Sequence, residues 1–421
     1  MKILLCGANG FIGRALARRL RRAGHEVIGT ARRPPDRKNW IAADFNTDHS
    51  PEDWLPRLEG IDMVINAAGI LREGPKSRFV DVHYRAPIAL FNAAVKAKLK
   101  KVIQISALGA DEGAESEYHQ SKKKADDYLA ALRINWTIVQ PSLVYGPGGT
   151  SAQLFNQLAA LPILLLPAGG KQLVQPIHID DLCEAVLRLI DNDANACRRI
   201  PLVGPEPISL RDWLLSLRKQ MNLGSVCILP VPMLIMRPMA AIAGLFNSTL
   251  LAPDTLRMLQ RGNTASDSAV RTLLGHQARP VTGFIPPNEA RHAADSARIG
   301  WLLPLMRWSV ALLWIVTGIL SLGFYPVEES YALLEQVHIR GSLATIALYG
   351  AAALDIALGL GVLFLRGRRW LWQAQIAVML CYTALITIFL PAFWLHPFGP
   401  LLKNIPLLVL MLALLEFERR A

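Results

Sequence analysis

After residue 307 the chain carries long apolar runs that water does not tolerate, and these restrict its fold more than any other feature. Residues 308–325, 342–365 and 370–390 are mostly apolar over the length that crosses a bilayer, about 20 helical residues for a ~30 Å hydrocarbon core. Residues 400–417 are a weaker fourth run, with Lys403 near the start and Pro406 inside. In hydrocarbon a backbone amide has no water to bond, so such runs are expected as helices. Residues 301–421 are therefore predicted to form an all-α, four-helix transmembrane domain. Residues 1–300 have the composition of a water-facing α/β domain, so the 52% hydrophobic content and the mean hydropathy of +0.29 are unevenly distributed.

Four spans place both ends of the region on one side. Arg307, the Arg366, Arg368 and Arg369 turn, Arg419 and Arg420 fall on that side, whereas Arg340 and Lys403 face it with Glu328, Glu329 and Glu335. The positive-inside rule then predicts a multi-pass protein of the inner, cytoplasmic membrane with residues 1–300 in the cytoplasm. Trp308, Trp370, Trp372 and Trp394 lie near span ends, where indoles anchor at the interface.

The net charge is +12, about +10 of it before residue 301. The basic residues are scattered and no nucleic-acid motif accompanies them, so no nucleic-acid partner is expected and attraction to anionic lipid headgroups is the better reading. The five cysteines, Cys6, Cys183, Cys197, Cys227 and Cys381, show no CxxC pair and no metal-ligand spacing. They are expected as reduced thiols, with no metal site.

Residues 2–6 are a continuous apolar run, as in a strand buried on both faces. A glycine-rich turn follows, then a helical stretch over 14–23. Further strands are predicted at 26–30, 63–66, 101–105 and 136–140, and further helices at 86–98 and 118–132. This alternation predicts a doubly wound parallel Rossmann sheet with right-handed crossovers. Residues 150–300 are Pro-rich and less regular, with helices at 180–190 and 210–221, and read as the last sheet elements plus a small substrate lobe. Within it 226–246 is apolar but broken by Pro230, Pro232, Arg237 and Pro238, which leaves a surface-lying segment or a buried lobe helix.

Gly7, Ala8, Asn9, Gly10, Phe11, Ile12 and Gly13 spell GxxGxxG between a buried strand and a helix. Glycines there permit the tight turn and the approach of a pyrophosphate, which the helix N-terminus then attracts. The second strand ends Gly29-Thr30-Ala31-Arg32-Arg33. It lacks the carboxylate that binds the ribose 2′-hydroxyl of NAD and offers two guanidiniums suited to a 2′-phosphate. NADP(H) is preferred, with NAD(H) the second option.

The segments GANGFIG at 7–13, AADF at 42–45, INAAG at 65–69, YHQSK at 118–122 and QPSLVYGPGG at 140–149 occur in this order. The chain resembles the extended and atypical short-chain dehydrogenase/reductases over roughly 1–300, including the NAD-dependent epimerase/dehydratase type. The resemblance implies that Asp44 meets the adenine amino group and Phe45 packs on the adenine. It implies that Ala67, Ala68 and Gly69 line the nicotinamide ribose, that Lys122 holds the ribose hydroxyls, and that Pro141, Ser142 and Val144 flank the nicotinamide.

Tyr118 and Lys122 are four apart and share one helix face. A cation beside a phenol favours phenolate, so the Tyr118 pKa is expected to fall toward working pH and the pair to act as catalytic acid/base. The third group is irregular. The strand ends Ile105-Ser106-Ala107-Leu108-Gly109, and the family's catalytic Ser or Thr aligns with Leu108. Either Ser106 takes over as carbonyl donor or the third group is missing. In this the segment is similar to that of the nucleotide-binding accessory subunit of mitochondrial complex I. His178, in Gln175–Asp181, is read as a structural residue anchoring the lobe through Asp180 or Asp181, rather than as a general base.

The last 120 residues resemble the DoxX-like membrane domain. Asp355 lies near the middle of 342–365, where an ionised carboxylate is costly. It is expected to face a partner, a cavity or a substrate path, or to be protonated between helices. The leading expectation is a membrane-bound oxidoreductase acting on a small hydrophobic substrate such as a quinone, isoprenoid or lipid precursor, with membrane lipid around it. The alternative is a non-catalytic NADPH-binding sensor or assembly module that acts on a membrane protein partner. A transporter with a nucleotide-sensing domain rests on Asp355 alone.

Overall fold

Short apolar runs that avoid water on both faces stack as a parallel sheet, and that sheet organises the first part of the chain. The computed structural model describes residues 1–35, 38–191, 193–232, 234, 261–365 and 367–418, and the chain divides into two units, Met1–Ala297 and Arg298–Ala421. The strands of the sheet are β1 (Lys2–Cys6), β2 (Glu26–Ala31), β3 (Trp40–Ala42), β4 (Met63–Asn66), β5 (Lys101–Ile105), β6 (Trp136–Pro141) and β11 (Arg198–Leu202). They lie in the order β3-β2-β1-β4-β5-β6-β11, all parallel. The order reverses between β1 and β4. The crevice beyond the carboxyl ends of such strands is where this class of sheet binds ligands.

On one face α1 (Phe11–Arg22) sets Leu16, Ala17 and Leu20 against Leu182, Val186 and Leu189 of α6 (Ile179–Ile190), over Ile3, Leu5 and Ile65. On the other, α3 (Ala86–Lys96) and α4 (Glu117–Ala130) cover Leu4, Val64, Val102 and Ile138. Of the two edge strands, β3 was not anticipated from the sequence, and β11 only as a sheet element without bounds after residue 150. Their burial pattern is mixed, and Arg198 and Arg199 are exposed, so neither reads as a buried apolar run.

The substrate lobe holds three two-stranded pieces. β7 (Val144–Tyr145) pairs with β10 (Ile177–His178), β9 (Leu173–Val174) with β12 (Ile208–Ser209), and β8 (Ile163–Pro167) with β13 (Cys227–Val231). Two helices, α5 (Thr150–Ala159) and α7 (Leu210–Gln220), meet through Phe155 and the buried Trp213, ring centroids 4.2 Å apart. Most of the segment 226–246 lies outside the described residues. Its opening residues are β13, a strand.

Among the described residues, three helices are long and apolar enough to cross a membrane: Pro287–Phe324, Ser342–Phe364 and Arg369–Phe389. The expected fourth is shorter. The chain turns at Gly399, whose φ is +54°, the Lys403 amide bonds the Gly399 carbonyl, and the last helix begins only at Asn404. It runs Asn404–Glu418, 15 residues, about 22 Å long at ~1.5 Å per residue. That falls short of a ~30 Å core. An unforeseen helix, Val327–Gln336, lies between the first two long ones. Small residues let helices touch closely: a Cβ on Gly318 would lie 2.7 Å from the Ala352 oxygen, and one on Gly359 would lie 2.8 Å from the Ala311 oxygen. The Tyr382 hydroxyl donates to Asp355 at 3.5 Å, so that carboxyl has a partner within the bundle.

Of the arginines invoked for orientation, Arg366, Arg419 and Arg420 lie outside the described residues. Arg307 is bonded inward. It donates to the Glu418 carboxylate at 2.5 and 2.8 Å and to the Val362 carbonyl at 3.1 Å, and its guanidinium lies 5.5 Å from the Trp372 ring. Glu418 also accepts from the Gly367 amide and the Trp372 indole. Removing one member leaves the other's half-buried charge without its counter-ion. Glu418→Ala is therefore expected to cost about 3 kcal/mol, seen as a lower melting temperature in detergent. The double variant Arg307→Leu/Glu418→Leu is expected to regain part of the loss.

Candidate functional site

At the switch between β1 and β4, three backbone segments meet with only hydrogens between them. Gly7 has φ +73°, and a Cβ on it would lie 2.8 Å from the Ala67 carbonyl. A Cβ on Gly13 would lie 2.1 Å from the Gly7 oxygen, and one on Gly10 would lie 3.2 Å from it. Gly10 is the N-cap of α1. No side chain caps that helix and no acidic residue stands in its first turn. The first-turn amides of Phe11, Ile12 and Gly13 are thus left for a ligand, at the positive end of the helix dipole. Asn9 and Gly10 are exposed and Phe11 and Ile12 half-buried. A diphosphate fits this cradle, both by the space that only glycine leaves and by the absence of a competing acid. Arg32 and Arg33 follow β2 at its carboxyl end, both exposed and without an ion-pair partner among the described residues.

The remaining nucleotide residues are placed unevenly. Asp44 is half-buried, one carboxylate oxygen taking both the backbone amide and the side-chain amide of Asn46 at 3.0 and 2.6 Å. Phe45 is turned into the core, edge-on to Trp54 at 5.2 Å. Ala67 and Ala68 are half-buried and Gly69 is exposed, just beyond β4. Pro141 and Ser142 are buried, and the Ser142 hydroxyl donates to the Gln175 carbonyl at 2.6 Å, so it serves the lobe. Val144 pairs with Ile177.

The reaction side is built on the first two turns of α4. Ser116 caps this helix by accepting from the His119 amide. The Lys122 ammonium donates to the Ile105 carbonyl at 3.2 Å, and a Cβ on Gly69 would stand 3.5 Å from it. It lies 5.7 Å from the centre of the Tyr118 ring. Tyr118, Lys122 and Gly69 are thus together at the end of β4 and β5.

The expected lowering of the Tyr118 pKa is reversed. Burial, and then the charge of nearby Asp126, push the phenol above its ordinary value. The Lys122 ammonium lies over the ring, and burial dominates the phenol's shift. Lys122 is itself lowered to about 8 by burial, opposed by Asp126. The phenol is therefore held in its protonated form.

Ser106 is not free to act as the carbonyl donor. It is buried and its hydroxyl donates to Asp126, away from the strand end. The Leu108 amide is likewise used, bonding the Pro141 carbonyl at 2.9 Å.

Two buried groups escaped the sequence reading. Asp126 is one helical repeat beyond Lys122 and continues the 118, 122, 126 face, a spacing that signals it in hindsight. His83 has no local signal, since its partners are distant in sequence. It lies in an irregular helical turn, Val80–Arg85, where its Nε2 accepts from the Ile70 amide at 3.0 Å. Nδ1 therefore carries the proton and donates to Ser121 Oγ at 2.9 Å, and Ser121 donates on to the Tyr118 carbonyl. Burial, then the Lys122 charge, lower its pKa to about 2, so the ring stays neutral. It ties the loop after β4 to the helix that bears Tyr118. From the lobe, Arg261 donates to the Gly109 carbonyl and pairs with Asp111.

Burial raises Asp126 from 3.8 to about 7. Its stability contribution is complete below about pH 4, where folded and unfolded chains are both protonated, and is lost as the pH rises through about 7. Lys122 acts oppositely, its contribution being complete above 10.5 and lost as the pH falls through about 8. Asp126→Asn is expected to flatten the fall in stability between about pH 4 and pH 7, measured by urea unfolding at a series of pH values. An unchanged slope would exclude Asp126 as its source.

His178 is buried and caps α6, Nδ1 accepting from the Asp180 amide at 3.3 Å, while Asp181 accepts from the Arg279 amide. This is a structural position. Among the described residues no group of three His, Cys, Asp or Glu is placed to hold a metal ion.

Residues 3–204 match the NAD dependent epimerase/dehydratase family and residues 311–412 the DoxX-like family. The chain is 30% identical over 187 residues to the ceramide reductase of Caulobacter vibrioides, covering 42% of this chain and 57% of that protein. It is 26% identical over 264 residues to the photosystem II assembly factor Ycf39 of Synechocystis sp., covering 61% and 78%. The human epimerase family protein SDR39U1, solved with NADPH, superposes with a TM-score of 0.53 at 18% identity over 70% of this chain and 99% of that one. MoeE5, solved with UDP-glucose and NAD, superposes with a TM-score of 0.51 at 19% identity over 72% and 100%. Structural neighbours thus bind NAD or NADPH, and the DoxX-like match with the three apolar helices supports membrane association. The chain joins an N-terminal domain of the NAD dependent epimerase/dehydratase family to a C-terminal DoxX-like domain.

Proposed function

We propose that the chain is a membrane-anchored, NADP(H)-dependent oxidoreductase that reduces the carbonyl of a lipid-like substrate, its N-terminal domain facing the cytoplasm. The observation that carries this reading is the Tyr118 ring and the Lys122 ammonium brought together beside Gly69, in the same crevice that the glycine cradle after β1 faces. A protonated phenol placed there can give its proton to a developing alkoxide. Lys122 stands where it would hold the ribose hydroxyls, beside Gly69. Arg32 and Arg33, exposed and unpaired among the described residues, would hold a 2′-phosphate. A bound nicotinamide would supply hydride. Tyr118 would give its proton to the substrate oxygen, leaving a phenolate beside the Lys122 ammonium. Apolar Leu71 and Val80, exposed on the two sides of the loop after β4, and the membrane helices favour an amphiphilic substrate over a sugar. The reduction of ceramide named for the Caulobacter relative is of this class.

The test uses the full chain in lipid vesicles with NADPH and a panel of long-chain ketones and sphingoid ketones. Oxidation of NADPH with at least one of them is expected. Arg32→Ala/Arg33→Ala is expected to weaken NADPH binding roughly tenfold or more, since each charged hydrogen bond contributes about 1.5–3 kcal/mol, and to leave NADH binding nearly unchanged. Stoichiometric NADPH binding with no turnover would overturn the enzymatic reading.

A second reading, a non-catalytic NADPH-holding assembly or sensor module for a membrane protein partner, is favoured by one observation. The hydroxyl nearest the carbonyl-donor position, that of Ser106, is bonded to Asp126. The photosystem II assembly factor among the relatives is of that kind by name.

A further inference from the structure

β8 and β13 form a two-stranded parallel ribbon in which Cys227 pairs with Ile163, Leu229 with Leu165 and Val231 with Pro167. Successive side chains point to opposite faces. The inner face buries Leu164 and Leu166. An outer face that met only water would carry polar residues. Here Ile163, Leu165 and Leu229 are 46%, 48% and 45% exposed, with the exposed Cys227 as their neighbour. The ribbon is held by Arg218, whose guanidinium donates to the Ala159 and Leu161 carbonyls before β8 and to the Gly224 and Ser225 carbonyls before β13. Basic groups stand at its other end. A Cβ on Gly170 would touch both Leu166 and Arg211, at 2.8 and 3.0 Å, and Lys171 is next in the chain, Arg211 and Lys171 both being exposed.

We infer that this ribbon is a membrane-docking surface, its apolar outer face resting at the headgroup–acyl boundary of an anionic bilayer. Three arguments select lipid as the occupant. The ribbon is apolar on both faces, which suits one buried side and one side in contact with hydrocarbon. Arg211 and Lys171 match anionic headgroups, as does the excess of about +10 before residue 301. The same chain carries three helices able to cross a membrane, so a bilayer is always within reach. This surface is independent of the oxidoreductase reading.

The test places a fluorescent NBD group on Cys227 of the full chain carrying Cys197→Ser and Cys381→Ser, since Cys6 and Cys183 are buried. The protein is reconstituted into phosphatidylcholine vesicles containing phosphatidylglycerol. Blue-shifted emission, quenched by nitroxides placed near the headgroups and little by aqueous iodide, is expected. Adding Leu165→Glu and Leu229→Glu is expected to abolish the lipid quenching with NADPH binding and melting temperature unchanged. Free quenching by iodide would overturn the proposal. So would a dye shielded from iodide yet untouched by lipid nitroxides, which would assign the cover to residues 233–260 or to a second copy.

Discussion

Gly13→Ala is expected to remove nicotinamide-dinucleotide binding while leaving the sheet folded. The added Cβ would sit 2.1 Å from the Gly7 oxygen, a contact no side-chain motion relieves, because both partners are backbone. Either the turn or the first turn of α1 must move, and the amides aimed at the diphosphate move with it. The loss of two such charged hydrogen bonds, at about 1.5–3 kcal/mol each, corresponds to roughly a hundredfold or more in affinity. Gly10→Ala provides the graded control. Its Cβ would meet the same oxygen at 3.2 Å, so a smaller loss is expected. Calorimetry with NADPH and NADH measures both variants, and urea unfolding confirms that each is folded. Unaltered affinity in Gly13→Ala would mean that the cradle does not hold the diphosphate, and the enzymatic and sensor readings would fall together.

Tyr118→Phe is expected to lower kcat by about 10²–10⁴-fold, the usual range for loss of a positioned acid, with the NADPH affinity little changed. The phenol makes no hydrogen bond on which the fold depends in the described structure, whereas its ring meets Phe79, His83 and His119, contacts that phenylalanine preserves. Lys122→Met should differ in kind. Lys122 reaches the Ile105 carbonyl and the Gly69 side of the crevice, so both affinity and turnover should fall. The contrast separates an acid from a residue that also holds the cofactor. A Tyr118→Phe protein that keeps full biological function, alongside a Gly13→Ala protein that loses it, would move the assignment to the sensor or assembly reading.

The glycine cradle was legible because it depends on contiguous residues. Gly7, Gly10 and Gly13 act within one strand–turn–helix unit, and their spacing alone implies the close approach that the backbone distances then measure. The place of Arg32 and Arg33, next to the end of β2, was legible for the same reason. The reaction half was legible only in outline. Tyr118 and Lys122 share a helix face by spacing, but the sign of the Tyr118 shift depends on its burial and on the buried Asp126. The role of Ser106 was open on sequence because its hydroxyl could turn either toward the crevice or toward α4. Packing decided for Asp126.

Local order determined the parallel sheet, the glycine cradle and the apolar helices of this protein, since hydrophobic period, glycine spacing and run length are properties of neighbouring residues. Contacts across long stretches of chain were decided only by the tertiary structure: the pairing of Ile70, His83 and Ser121, the engagement of Ser106 by Asp126, the Arg307–Glu418 tie and the exposed apolar ribbon of β8 and β13. The reason is physical. A charge or hydroxyl takes its state from the burial and partners around it, and those neighbours are assembled only when distant segments pack.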